Sequence, residues 1–235
     1  RLWWREEGCR LTALERRLLG VERGEDVAGI EIPERYFSYL RTGEAALVEP
    51  VLDHNRMDIV TLAGLTMRLA WLYEVGPQAS RDGAECFGLG SVFERTGQFE
   101  RALASYERAA SLARHFEDEL RLDACHRRAR LLRRLRRHGD ALSVWEAIAG
   151  APQGASGAAR REALRALAVH HEHRSKNLSS AREFAMACVG AERGSGVEAA
   201  RHRLARLHRK MGLPDDGKAV DGRTLQRDLL DPTWT

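Results

Sequence analysis

A mainly α fold is predicted by two patterns that divide the chain near residue 80. Over residues 49–73, EPVLDHNRMDIVTLAGLTMRLAWLY, apolar residues recur at helical spacing in the longest uninterrupted run of the sequence. From residue 84 onward, small and aromatic residues return at offsets that fit pairs of short antiparallel helices. A helical N-terminal unit followed by an α-α superhelix of stacked hairpins accounts for both patterns.

In chain order, residues 1–10 set Trp3 and Trp4 among charges, as in a segment that packs against a partner surface. Thr12 and Glu15 have the spacing of a capping box, and Gly20 ends a short helix over 13–19. The loop 21–32 is acidic and contains glycine. Pro33 then opens a second helix over 34–41, and Gly43 follows it. Tyr36, Phe37, Tyr39 and Leu40 spread over more than one face of that helix, which predicts burial on two sides. Pro50 suits the first turn of the third helix, 49–74, and Val51, Leu62, Leu65, Leu69 and Leu72 are read as its buried stripe. Residues 76–83, with one Pro and two Gly, read as a linker. Cys86, Leu89, Gly90, Phe93, Gly97, Phe99, Ala102, Tyr106 and Ala109 then fall at offsets that resemble a tetratricopeptide repeat, in which small residues let two helices approach and aromatics fill the gap. One such repeat cannot bury its own faces, so neighbours are required. Residues 122–137 and 141–149, joined at His138-Gly139 with Trp145 in the aromatic position, form a second hairpin; 161–174 and 180–189 form a third; 196–211 form a closing helix. Residues 212–235, rich in Gly, Pro and Asp, read as a tail whose Leu225, Leu229, Leu230 and Trp234 are positioned to dock back.

Hydrophobic residues make up 43% of the 235, enough to bury a core at a length between one large domain and two ordinary ones. Two units are expected, 1–75 and 84–211, separated by the linker and followed by the tail. Cys9, Cys86, Cys125 and Cys188 lie far apart, with no C-x-x-C pair, so they read as reduced, packed thiols. No apolar run reaches the length of a membrane span, and the start, RLWWREEGCR, lacks the apolar core of a signal peptide; a cytoplasmic protein with no membrane partner is expected. The first residue is Arg, so the sequence also reads as a piece of a longer chain.

Two groups of residues carry candidate chemistry. His54 and Asp58 are four apart, which stacks an imidazole and a carboxylate on one helix face, close enough to share a hydrogen bond or a metal-bound water. The ordinary reading of such a pair is a surface contact of roughly 0.2–0.5 kcal/mol. Asp53 and Asn55 are secondary candidates on other faces. The second group lies in RLDACHRRARLLRRLRR, residues 121–137, where arginines surround a stripe of Leu122, Cys125, Ala129, Leu132 and Leu135 against the single acid Asp123. Guanidinium groups bind phosphate in two-point fashion, so Arg127, Arg128, Arg130, Arg133, Arg134 and Arg137 are candidates for contact with a nucleic-acid backbone. A solvated arginine face is the ordinary alternative. His170, His171 and His173 with Glu172 read as helix-end histidines favoured by the helix dipole.

Three stretches carry a family resemblance: CRLTALERRLLGVER, then GIEIPERYFSYLRTGEAALVEPVLDHNRMDIVTLAGL, then the helical repeats. Together they resemble the C-terminal half of a bacterial ribonuclease H-like exonuclease domain of the DEDD superfamily, its β-sheet half missing, followed by a tetratricopeptide-like superhelix. The resemblance implies a metal-dependent enzyme that removes nucleotides from DNA or RNA in the 3′-to-5′ direction, with four carboxylates holding two Mg²⁺ or Mn²⁺ ions. Carried over by position, Asp58 is the last metal-binding carboxylate and His54 orients or deprotonates the attacking water. The H-x-x-x-D spacing is that of the superfamily's tyrosine branch; its histidine branch has one more residue between the two. No D-x-E motif and no second aspartate motif precede residue 50, so this chain by itself is expected to be inactive and not to hold the metals. A non-catalytic interaction module, in which the hairpins form a groove for a protein partner and the first 75 residues serve as a cap, is the alternative. A backbone-binding adaptor using the arginine helix is compatible with either.

Overall fold

The computed structural model describes residues 10–24, 26–113, 118–151, 157–192 and 195–213. Trp3, Trp4, Cys9 and the segment 214–235, with its leucines and Trp234, lie outside the described residues. Among the described residues the chain is helical, with no β-strand.

The N-terminal part runs through α1 (Leu11–Leu14), a π-helical turn (Glu15–Leu19), α2 (Ile32–Thr42), a 3₁₀ turn (Ala45–Leu47) and the long helix α3 (Glu49–Val75). Gly20 ends the π turn in the left-handed region, as its position predicts. The capping box does not form. Arg10 is the N-cap of α1 without a side-chain cap, and Glu15 is fully buried with its carboxylate engaged elsewhere. Two-sided burial of α2 is also absent: none of its residues is fully buried, and Tyr36, Phe37 and Leu40 are exposed. On α3 the buried residues are Thr61, Leu65 and Leu72, whereas Leu62 and Leu69, expected in the stripe, are exposed. The helix is apolar nearly all round, so helical spacing alone does not select the face that π-turn residue Leu19 and the repeats cover.

Six helices then pair into hairpins, α4 (Gly83–Arg95) with α5 (Phe99–Leu112), α6 (Asp118–Arg134) with α7 (His138–Ala149), and α8 (Gly157–His173) with α9 (Leu178–Ala191); α10 (Ser195–Met211) packs on α9. One continuous core runs from Leu72 through Phe93, Tyr106, Leu131, Trp145 and Ile148 to Leu167. Cys86 and Cys188 are buried free thiols, which burial pushes up to about 11.

Each hairpin turns through a left-handed residue, and the first two share one hydrogen-bonded turn. Gly97, Arg136 and Lys176 each take the left-handed conformation, at φ 77°, 61° and 58°. The amide after Gly97 donates to the carbonyl of Phe93 and the amide after Arg136 to that of Leu132, both at 2.9 Å. The second turn is therefore at 135–137 and not at His138-Gly139, which open α7. In the last hairpin, Glu172 is buried and accepts from Arg206 and Lys210 of α10, each at 2.7 Å; burial raises its carboxyl, but these two cations outweigh that and bring it to about 2.

Residues 76–83 are a packed joint. Pro77–Ala79 form a 3₁₀ turn, and Gly76, Pro77, Ser80 and Gly83 are buried. Arg101 of α5 lies over the Phe93 ring, 4.2 Å from its centroid, and donates to the last carbonyls of α3, those of Tyr73 and Glu74. Arg68 of α3 donates with one nitrogen to both oxygens of the buried Glu85, at 3.1 and 3.2 Å.

Close helix approach in the first hairpin depends on Gly90. A Cβ there would lie 2.7 Å from the Tyr106 ring, which is fully buried and fixed by its hydroxyl's 2.7 Å bond to Glu94. Gly90→Ala is expected to destabilise the chain by about 1–3 kcal/mol, read from the urea midpoint of the ellipticity transition. An unchanged midpoint would show that the hairpin absorbs the extra methyl.

Candidate functional site

The π turn and the loop after it fold over the N-terminal half of α3. Glu15 is the pivot, because a carboxylate with no exposed surface requires charged or hydrogen-bonding partners. Arg23 supplies them, with Nε to Oε2 at 2.7 Å and Nη2 to Oε1 at 2.5 Å, and the Thr61 hydroxyl of α3 donates to the same Oε1. Holding Arg23 there brings the loop across α3. Arg23 Nη1 reaches Asp26 Oδ2 at 3.0 Å, and Nη2 reaches Asp58 Oδ1 at 2.5 Å.

His54 and Asp58 do lie together, as their spacing predicts, but each has a closer partner from the loop. His54 Nε2 is 3.6 Å from Asp58 Oδ2, a charge contact beyond hydrogen-bonding distance. His54 Nδ1 is 2.6 Å from Asp26 Oδ1. The Asp26 carboxyl is held below its ordinary value by the His54 hydrogen bond first and, against burial, by Arg23. It is therefore an acceptor, so Nδ1 carries the proton and Nε2 is the nitrogen that faces Asp58. An aspartate thus orients the imidazole, which in turn faces a second aspartate that is 31% exposed. Asp53 pairs with Arg56, at 3.2 Å on the surface, and Asn55 is exposed; among the described residues neither joins the cluster.

Glu15, Arg23, Asp26 and Thr61 were not legible as site residues. The signal available was the loop VERGEDVA, which holds one arginine among acids. Among the described residues no group of three or more His, Cys, Asp or Glu side chains can hold a metal ion. Asp58 offers one carboxylate, and one of its oxygens already accepts from Arg23, so the residues present do not fit a two-metal centre.

The histidine cluster is dispersed. His171 stacks on Phe184 at 5.5 Å, His173 lies 3.5 Å from Glu172, and burial, then the neighbouring His171, lowers His170. The predicted arginines divide into two sets. Arg128 pairs with Glu107 at 2.8 Å, and Arg137 with Glu100 and Asp140 at 3.0 and 2.8 Å. Arg127, Arg130 and Arg134 instead line a recess between α4 and α6, and Arg133 sits at its rim.

Comparison with known proteins finds a match to a segment in each part of this architecture. Residues 1–70 match the RNase_H superfamily model. Residues 85–120 match the tetratricopeptide repeat model, over α4, α5 and the start of α6. The chain is also 26% identical over 217 residues to the "Uncharacterized protein YprB" of Bacillus subtilis (strain 168), a match covering 89% of this chain and 50% of that protein. The chain thus spans about half the length of this relative. No solved structure matches. His54, Asp58 and the loop that contacts them all fall inside the RNase H-like segment. Among the described residues, no helix is long and apolar enough to cross a membrane.

The Glu15 carboxyl is held below its ordinary 4.5 by the Arg23 hydrogen bonds first, with burial opposing and Thr61 adding. A depressed folded-state value means that the pair contributes stability above the ordinary value, which is lost as pH falls through the folded value. Arg23→Met is expected to cost about 3–5 kcal/mol near neutral pH, because it strands Glu15. The cost should shrink as pH falls below the ordinary carboxylate range, where the stranded Glu15 can be neutral. Urea midpoints at several pH values measure both effects, and a cost that stays constant as pH falls would remove Arg23 as the group that holds Glu15 ionised.

Proposed function

We infer that this chain is part of a nuclease acting on nucleic acid, in which the segment up to α3 belongs to the RNase H-like domain and the hairpins position a partner or the substrate. The observation that carries this reading is the His54–Asp58 pair, set on one face of α3 within the segment that matches the RNase_H superfamily and oriented by Asp26 from the loop.

The finer reading is 3′-to-5′ exonuclease activity, with Asp58 as a carboxylate of the centre and His54 as the residue that orients water. Mg²⁺ or Mn²⁺ would then require carboxylates additional to those described. The exposed apolar residues of α2 and α3, among them Phe37, Leu40, Ile59, Val60, Met67 and Trp71, support a further packing surface for the same domain. The engagement of Asp58 by Arg23 favours a second reading, a non-catalytic helical-repeat module that binds a protein partner.

The test is hydrolysis of 5′-labelled single-stranded DNA and RNA by the full native protein in Mg²⁺ or Mn²⁺. Stepwise shortening from the 3′ end is expected, lost by about a hundredfold or more in Asp58→Ala. The chain of residues 1–235 alone should leave the substrate intact. Activity in the full protein that survives Asp58→Ala would remove Asp58 from the centre, and no hydrolysis by the full protein would favour the interaction module.

A further inference from the structure

The recess between α4 and α6 has a volume of about 950 Å³, and four arginines line it: Arg95 from α4 and Arg127, Arg130 and Arg134 from α6. The last three recur at i, i+3 and i+7, so they form one stripe along the helix, on a different face from the paired Arg128. A second recess, of about 480 Å³, opens between α7 and α8 and is lined by Arg133, Arg165 and Arg174. The two meet at Glu162. This carboxylate lies 2.7 Å from His126 and 3.8 Å from Arg130, which line the first recess, and 3.9 Å from Arg133, which lines the second.

The charges in this track are unbalanced. Seven arginines line the two recesses against three carboxylates, Glu94, Asp123 and Glu162, and Arg165 also pairs with Glu192 at 2.9 Å, which leaves a surplus of three, most of the net charge of the whole chain, +4. Glu94 accepts from the Tyr106 hydroxyl at 2.7 Å, and Glu162 is engaged by His126. Arg95 and Arg127 form no ion pair with the described residues, and Arg134 lies over the Phe99 ring at 4.9 Å. The positive charge of this protein is therefore gathered along a path across its hairpins, with guanidinium groups left to face solvent.

We propose that the two recesses form one track for the sugar–phosphate backbone of a single strand of DNA or RNA. The identification of the anion as nucleic acid rests on the reading of the chain as part of a nuclease. Phe87 and Trp145, the aromatics beside the track, are buried, so no stacking platform faces a base and the contacts are to phosphate. A recess set between two helices is narrow enough to receive one backbone and not a duplex. Binding is sequence-tolerant and steeply salt-dependent.

The test uses this chain without metal, so that it is independent of hydrolysis. Fluorescence anisotropy is read with a labelled mixed-sequence strand of about 15 nucleotides, as DNA and as RNA, with polyglutamate as competitor. If the four arginines of the first recess neutralise four phosphates, the affinity falls about fiftyfold between about 50 and 200 mM salt. Arg127→Gln/Arg130→Gln should weaken binding about tenfold and roughly halve the salt slope, while Arg128→Gln/Arg137→Gln stays within about twofold. Equal helix content and melting temperature in the two variants exclude a folding effect. Equal losses in both variants, no binding at low salt, or displacement by polyglutamate at lower concentration than by unlabelled strand would overturn the proposal, the last by making an acidic protein segment the occupant. Binding as described with no hydrolysis by the full protein would leave the track standing and count against the nuclease reading alone; hydrolysis without binding here would do the reverse.

Discussion

A single helix belongs to both halves of this protein. The N-terminal half of α3 carries His54 and Asp58 and meets the buried Glu15 through Thr61, while Leu72, near its C-terminal end, is fully buried in the same core as Phe93 and Tyr106 of the first hairpin. The Arg68–Glu85 pair and the cap of Arg101 on the carbonyls of Tyr73 and Glu74 close the junction from both sides. One continuous helix of 27 residues transmits position, so the candidate site and the repeat surface sit in a fixed relation that a flexible linker would not provide.

Around the upper half of α3, one buried carboxylate organises the rest. Burying Glu15 is favourable only with a cation against it, and Arg23 is that cation. The same guanidinium has donors to spare, and these reach Asp26 and Asp58, so a partner recruited to neutralise a buried acid also fixes the loop that orients His54. Structure and electrostatics are shared here. A change at Glu15, which touches neither His54 nor Asp58, disturbs both through the loop.

The helices and their pairing were legible because helical periodicity and the small-aromatic offsets are local signals. What failed was long-range. Thr12 and Glu15 have capping-box spacing, but Glu15 is drawn into the interior by an arginine 8 residues later and a threonine 46 residues later, pairings that no local pattern encodes. The buried face of α3 was misjudged because leucines lie on several faces and only long-range packing selects Leu65 and Leu72. The second hairpin's turn was placed at the nearest glycine, whereas Arg136 takes the left-handed conformation that Gly97 takes in the first hairpin, at a local cost of about 1–2 kcal/mol that the surrounding packing outweighs. His54 and Asp58 were legible as a pair, since four residues on a helix bring them together; Asp26 and Arg23, which complete the cluster, come from a loop whose path depends on Glu15. The arginine helix was legible as charge, but its division into a paired set and a groove-lining set depends on acids contributed by α5 and α7.

The central claim is that α3 is one rigid element shared by the RNase H-like segment and the repeats. Native-state hydrogen exchange of its amides tests this most directly, residue by residue. The account predicts that residues 61–75 exchange through the same opening as α4 and α5, with protection within about tenfold of those helices and falling in parallel in Gly90→Ala. Residues 61–75 exchanging about a hundredfold or more faster, and unaffected by a change in the first hairpin, would contradict it and restore the two halves as independent units.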